Sequence, residues 1–225
     1  MNFLSFLTGA GPARLGWPVD TPTVTTRTGR RVRLRSIERG DGVAWRRYRM
    51  EDRSLLEPVE PTAYQGWEEA HNTQGWKYTY RNLMEWVDKG VVVPAVIEVD
   101  GEFAGQLTLG NIQHGAIRSC WIGYWVYSGW QGQGVATAAV ALGVDHAFRR
   151  VEMHRVEATV MESNVASRRV LEKAGFRHEG TLRRNLHING EWTDHMLVAV
   201  TIEEVAQYGS LVRKMLNDRV LIGVA

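Results

Sequence analysis

Apolar and polar residues alternate over Arg31-Val32-Arg33-Leu34-Arg35, the two-residue period of a strand with one buried face. The period then lengthens: residues 41–53 carry a helical start with Asp41 placed to cap it, and residues 67–89 read as a second helical stretch interrupted near Gly75. From residue 91 the short period returns. Residues 91–99, the Asp100-Gly101 turn and residues 103–109 predict a hairpin, with residues 119–127 as a third strand of the same group. Val135, Ala139, Val140, Val144, Ala147 and Phe148 recur at helical spacing, and that helix ends near Arg149 and Arg150. Residues 155–160 predict a strand, and residues 165–174 a helix that Asn164 can cap, with Gly175 just past its end. Residues 179–200 fold back as a hairpin about Asn189-Gly190. Thr201 and Glu204 then fit a capping box for a closing helix with an apolar stripe of Val205, Tyr208, Leu211, Val212 and Met215. The chain is therefore of mixed α/β class. Residues 1–28 are expected to form an irregular N-terminal arm whose Trp17 can dock, residues 29–201 the main domain, and residues 202–225 a C-terminal helix and tail.

Composition narrows the compartment. With 225 residues, 44% hydrophobic and 23% charged, the chain can bury a sizeable core. Cys120 is its one cysteine, which excludes an intrachain disulfide and any C-x-x-C site and suits a reducing compartment. Residues 1–10 are apolar but lack a basic leading segment and run into Gly11, Pro12 and Arg14, unlike a secretory signal. No run reaches transmembrane length, so a cytoplasmic protein without a membrane partner is expected. The formal net charge of +2 tolerates a nucleic-acid-rich neighbour without demanding one. The arginines between Arg27 and Arg35 read as a solvated strand face, so no direct nucleic-acid binding is expected. His114, His154 and His187 lack metal-ligand spacing, so no metal is expected either. The nine tryptophans are expected as core or groove walls.

The segment that changes the picture is Trp121-Ile122-Gly123-Tyr124-Trp125-Val126, followed by Gln131-Gly132-Gln133-Gly134-Val135-Ala136-Thr137 at the head of a helix. A strand that feeds a glycine-rich turn into a helix leaves backbone N–H groups converging at the positive end of the helix dipole, where a pyrophosphate can sit. No Lys-Ser/Thr follows, which excludes a Walker A loop, and Thr137 stands where a dinucleotide fingerprint needs its third glycine. Alone, the glycines could equally serve a tight turn. A second motif stands downstream: Asn164-Val165-Ala166-Ser167 opens a helix that ends in Glu172-Lys173-Ala174-Gly175-Phe176.

Taken together, these motifs resemble the GNAT acyltransferases, whose loop reads Arg/Gln-x-x-Gly-x-Gly/Ala and whose next helix begins Asn-x-x-Ser/Ala and ends in Gly-Phe. Gln131, Gly134 and Ala136 match the first pattern; Asn164, Ser167, Gly175 and Phe176 match the second. The likeness runs from about residue 31 to 200. It points to the RimJ-type ribosomal-protein alanine N-acetyltransferases through Ile122-Gly123-Tyr124, Trp130-Gln131-Gly132-Gln133-Gly134, His154-Arg155-Val156-Glu157-Ala158 and Gly190-Glu191-Trp192-Thr193-Asp194-His195. The resemblance implies a central mixed, largely antiparallel sheet of about seven strands, flanked by helices and splayed in the middle at the cofactor site. It also implies acetyl-CoA as cosubstrate, direct attack by an amine in a ternary complex, and no metal. The implied acceptor is the N-terminus of a protein or peptide, ribosomal proteins with a small first residue being the first class to consider. A small amine, such as an aminoacyl nucleotide or an antibiotic, and a CoA-binding ribosome-associated module without catalysis are the alternatives.

The resemblance assigns roles residue by residue. Gln131, Gly132, Gln133, Gly134, Val135, Ala136 and Thr137 would hold the pyrophosphate. The backbone of Tyr124 to Val126 and the side chain of Asn164 would hold the pantetheine arm, with the Val126 N–H facing the developing oxyanion. Ser167 would donate to the departing thiolate, while both Asn164 and Ser167 could also serve as plain helix caps. Where relatives carry a candidate basic glutamate, Leu186 and Thr159 stand here. Glu157 shares a strand face with Thr159 and is the nearest carboxylate, acting alone or through water; its plainer reading is a salt-bridged strand glutamate. An α-amine with pKa near 8 costs only about 1 kcal/mol to deprotonate at pH 7, against about 5 for a lysine, so an α-amine acceptor can manage with a weak base. Asp194 and His195, as strand neighbours, should point to opposite faces. Glu51, Asp52, Glu57 and Glu60 either steer an ammonium group or form an ordinary polar loop.

Overall fold

A computed structural model describes residues 14–225; the apolar stretch 1–10 and the beginning of the expected arm lie outside them. Nine strands form one sheet: β1 (Val24–Thr26), β2 (Arg31–Ser36), β3 (Val92–Val99), β4 (Glu102–Gln113), β5 (Ser119–Val126), β6 (Arg155–Val160), β7 (Arg177–Ile188), β8 (Glu191–Thr201) and β9 (Leu221–Val224). Their spatial order is β7-β8-β6-β5-β4-β3-β2-β1-β9. The single parallel pair is β5 with β6, so the sheet is mixed and largely antiparallel, as expected. Its helices are α1 (Gly42–Glu51), α2 (Arg53–Leu56), α3 (Trp67–Ala70), α4 (Thr73–Asp88), α5 (Val135–Arg149), α6 (Val165–Lys173), α7 (Ile202–Ala206) and α8 (Leu211–Asn217).

The count of nine, against about seven expected, comes from β1 and β9. The expected arm supplies β1 and the expected tail supplies β9, and the two pair with each other. At three and four residues they are too short for a period of two to register, yet Val24 and Thr26 are fully buried. Trp17 does dock, against the cores on both faces of the sheet. The closing helix divides at Gly209, whose φ of +76° ends α7 and its Thr201–Glu204 capping box. Ser210 then caps α8 through the Arg213 N–H at 3.1 Å.

Local chemistry explains the other boundaries. Both hairpin turns place Asn or Asp and then Gly at positive φ (Asp100 52°, Gly101 90°; Asn189 44°, Gly190 90°), the signature of a two-residue primed turn. Asp41 does not cap α1: its carboxylate takes the Arg35 guanidinium at 2.7 Å and the Glu38 N–H at 2.7 Å instead. The 67–89 stretch breaks where Asn72 accepts from the N–H groups of Gln74 and Gly75, and a Cβ on Gly75 would lie 2.2 Å from the Ala70 carbonyl oxygen. The arginine face is laced with carboxylates: Arg33 and Arg35 share Glu98, which these partners hold below the usual carboxylate range.

Two cores result. On one face α5 lies across β2, β4 and β5, with Gly143 so close that a Cβ would stand 2.9 Å from the Leu107 side chain. On the other face α1 and α4 pack Trp45, Tyr48 and Trp76 against Val92, Val96, Phe103 and Trp125. Trp121, Trp86 and Trp192, in contrast, are exposed.

The C-terminal segment is anchored through α5. Asp145 accepts from the N–H groups of Leu211 (2.7 Å) and Val212 (3.0 Å), the otherwise orphaned donors of the first turn of α8. Asp145→Ala should lower the unfolding free energy by about 1–3 kcal/mol in urea titration. It should also speed amide exchange in β9 more than in β3; equal protection of β9 in both proteins would refute this anchoring.

Candidate active site

The sheet opens at one place. β5 and β6 pair over Ser119↔Arg155, Cys120↔Val156 and Trp121↔Glu157 and then part, although β5 stays paired with β4 as far as Gly105↔Val126 and β6 with β8 as far as Val160↔Met196. Tyr127 donates its N–H to the Ala104 carbonyl at 2.8 Å on the β4 side. The backbone groups of successive strand residues alternate in direction, so the N–H and C=O of Val126 point into the opening.

The loop after β5 is shaped from outside. Residues 128–130 make a single 3₁₀ turn, and Gly132 and Gly134 both take the left-handed conformation, at φ +72° and +79°. Thr28 Oγ1 donates to the Gln133 carbonyl at 3.0 Å, and Arg30 Nε donates to Gln133 Oε1 at 2.6 Å while its guanidinium lies over Trp130. A Cβ on Gly134 would stand 3.4 Å from the Thr26 side chain. Gly134 is the N-cap of α5 and has no side chain to offer the first turn, so the N–H groups of Val135, Ala136 and Thr137 remain for a ligand. The side chains of Val135 and Thr137 are buried beneath them, and Gln131 is exposed at the rim.

α6 begins across the opening. Asn164 caps it, its Oδ1 accepting the Ser167 N–H at 3.1 Å, and Ser167 Oγ lies 3.0 Å from the Tyr124 hydroxyl. Burial pushes the Tyr124 phenol up to about 12 despite its hydrogen bond to Ser167, so the phenol keeps its proton at neutral pH. Asn164, Ser167, Tyr124, Val126 and the loop 131–137 thus surround one cleft.

Glu157 does not join them. It stands in the last paired row beside Trp121, with Arg155 Nε 3.2 Å from its carboxylate, and Arg155 also binds Glu179 at 2.5 Å. Val126 lies five residues further along β5, roughly 17 Å at the strand rise. Leu186 is paired with Thr193 and Thr159 with Leu197, neither offering a base. Asp194 and His195 are engaged separately: Asp194 Oδ1 accepts the Arg184 N–H at 2.7 Å, and His195 Nδ1 lies 3.1 Å from the Thr193 carbonyl.

The acidic segment forms the wall on the α1 side, and most of it is committed. Glu57 pairs with Arg53 at 2.8 Å and Glu60 with Arg49, whose guanidinium sits over the rings of Trp45, Trp67 and Trp125. Glu51 lies within 3.9 Å of Arg47 and raises the Tyr127 phenol by accepting its hydrogen bond. Asp52 is buried and accepts the Ser128 N–H at 2.6 Å, fixing the start of the loop. His71, burdened by burial and by Arg49, is lowered to about 4 and is neutral.

Sequence reasoning missed the Tyr124 hydroxyl, the Asp52–Ser128 bond and the Thr26–Arg30 backing of the loop. Only the first had a signal, since Tyr124 shares strand parity with Ile122 and Val126 and so must face the α6 side. Among the described residues, no group of three or more His, Cys, Asp or Glu side chains could hold a metal ion, and no helix is long and apolar enough to cross a membrane.

Comparison with known proteins gives the family. Residues 31–177 match the acetyltransferase (GNAT) domain family. RimJ of Mycobacterium smegmatis, solved in complex with CoA-disulfide, is 45% identical, with a TM-score of 0.87 over 92% of this chain and 97% of that one. The [ribosomal protein uS5]-alanine N-acetyltransferase of Escherichia coli is 30% identical over 83% of this chain and 95% of its own length. The probable N-acetyltransferase YjcK of Bacillus subtilis is 46% identical over a shorter span, 45% of this chain and 56% of that protein. With its sheet parted between β5 and β6 and its glycine loop at the head of α5, the chain belongs to the GNAT acetyltransferase family and is of the RimJ type.

Proposed function

We propose that the chain moves the acetyl group of acetyl-CoA to the N-terminal α-amino group of a protein, with a ribosomal protein as the substrate class, in the cytoplasm. The observation that carries this reading is the parting of β5 from β6 beside the uncapped first turn of α5: one offers backbone to a pantetheine arm, the other offers N–H groups to a pyrophosphate. Gln131 to Thr137 hold the diphosphate. Tyr124 to Val126 and Asn164 hold the arm, so that the thioester carbonyl lies against the Val126 N–H. The relatives whose names state a ribosomal-protein alanine substrate support the choice of acceptor. The reducing compartment agrees with Cys120, a free, buried thiol pushed up to about 12 by burial.

In this reading the amine attacks the acetyl carbon directly. Charge builds on the carbonyl oxygen, where the fixed Val126 N–H meets it without reorganisation. The thiolate leaves toward Ser167, whose hydroxyl is oriented by the Tyr124 phenol. Glu157 enters only through intervening water, because its ion pair and its distance along the strand keep it from the nitrogen.

Three measurements test the proposal. Gly134→Trp puts a bulky side chain at a left-handed position against Thr26; calorimetry should detect no heat with CoA while circular dichroism stays near that of the parent, and undiminished CoA affinity would mean that this loop does not hold the cofactor. Ser167→Ala should lower kcat about 10- to 100-fold with CoA affinity changed less than threefold, since a leaving-group contact matters mainly in the transition state. Thiol release from acetyl-CoA with short peptides of small first residue should exceed release with small amines such as spermidine; turnover confined to small amines would replace the peptide substrate, and turnover with none would leave a CoA-binding module.

A further inference from the structure

Glu157 could reach the proton of the attacking amine only through water, and the register of the sheet indicates a nearer acceptor. Trp121, Glu157 and Ala199 form one row across β5, β6 and β8. Four residues toward the open end, that row becomes Trp125 on β5 and His195 on β8, because β8 runs antiparallel; on β6 it would be Met161, just past the end of the strand. The step of four preserves the side-chain face. Trp125 packs on the α1 side of the sheet, and His195 shares that side because its neighbours Met196, Val198 and Val200 face the α5 core. His195 and Trp125 therefore flank the opening at the same height, roughly 10 Å apart in an unparted sheet and more in this one.

His195 is also prepared for the task. It is 3% exposed, yet the polar contact it makes is through Nδ1 to the Thr193 carbonyl. A carbonyl can only accept, so Nδ1 carries the hydrogen of that bond and Nε2 is the ring nitrogen left to exchange a proton with a substrate. Nε2 has no hydrogen-bond partner among the described residues. Beside it β7 bulges away: the pairing jumps from Leu182↔His195 to Leu186↔Thr193, with Arg184 at φ +49° held by Asp194. Asp194 therefore fixes the bulge in the strand beside His195.

Resting on the acetyl-transfer reading above, we propose that His195 Nε2 is the general base that takes the proton from the acceptor amine. The nitrogen lone pair forms the C–N bond to the acetyl carbon as its N–H proton passes to Nε2, the C–S bond breaks, and the thiolate departs against the Ser167 hydroxyl. His195 then releases its proton to solvent and the thiolate takes one up, so one proton moves in net from nitrogen to sulfur. The imidazole fills the role of the candidate glutamate of relatives, at whose positions this chain carries Leu186 and Thr159.

The test compares His195→Asn, whose amide can keep the bond to Thr193 but lacks Nε2, with His195→Gln, whose amide reaches the position of Nε2 but is not basic. With the acceptor that the wild type turns over best, both should lose 10²- to 10⁴-fold in kcat. CoA affinity by calorimetry should stay within threefold, and added imidazole should partly restore the Asn variant. Either variant, folded and binding CoA, with kcat within threefold of wild type overturns the proposal. On the unaltered protein, the imidazole ¹⁵N signals of His195 should shift when acceptor is added to the CoA complex; unmoved signals overturn it independently of how the variants fold. A wild type that binds CoA but acetylates no amine would overturn the acetyl-transfer reading and this one with it, whereas an active wild type with equally active variants would overturn only this one.

Discussion

One strand serving two neighbours unequally is the constraint on which this molecule is built. β5 stays hydrogen-bonded to β4 through Val126 but to β6 only through Trp121. Buried backbone N–H and C=O groups without partners are costly, so an open seam in mid-sheet persists only if something else takes up those groups or water reaches them. Here the start of α6 stands over the seam, bonded through Ser167 to Tyr124, and the remaining groups face the cleft. The proposed cofactor site is thus an interruption in the ladder, positioned by the same pairs that stabilise the sheet on either side.

The seam explains why so many elements converge on it. α5 can start beside β5 because a loop of only eight residues, 127–134, joins them, and that loop has two left-handed glycines to turn within its length. α1 reaches it from the other face, where Asp52 receives the N–H of Ser128. The aromatic layer beneath α1 supports this wall: Arg49, clamped between Glu60 and three indole rings, ties the acidic segment to Trp125, one residue before Val126.

The parts of this arrangement that are local in sequence were legible beforehand. The hairpin turns, the glycine loop, the Asn164 cap and the apolar stripe of α5 each declare themselves within a few residues, and the motif resemblance supplied the mixed, largely antiparallel sheet around them. What depended on partners far along the chain was not legible. β1 and β9 are too short to show a period and exist because each covers the other's edge. Asp41 satisfies every local rule for a cap, yet the Arg35 guanidinium of a neighbouring strand holds its carboxylate. Parity along a strand correctly separates Asp194 from His195, but it does not reveal that each has its own backbone partner. Nor could the face shared by Glu157 and Thr159 show how far that row stands from the end of β5.

The backing of the glycine loop by Thr26, Thr28 and Arg30 bears on where the working unit begins. Two of these three residues precede position 29, where composition suggests that the globular part starts, and together they shape the carbonyl and side chain of Gln133 and the space beside Gly134. A fragment trimmed to that boundary would keep every residue assigned to the cofactor while stripping the buttress that holds their loop in its curve. The minimal catalytic piece is therefore longer at its front than its motifs suggest, and β9, paired along β1, belongs to the same brace.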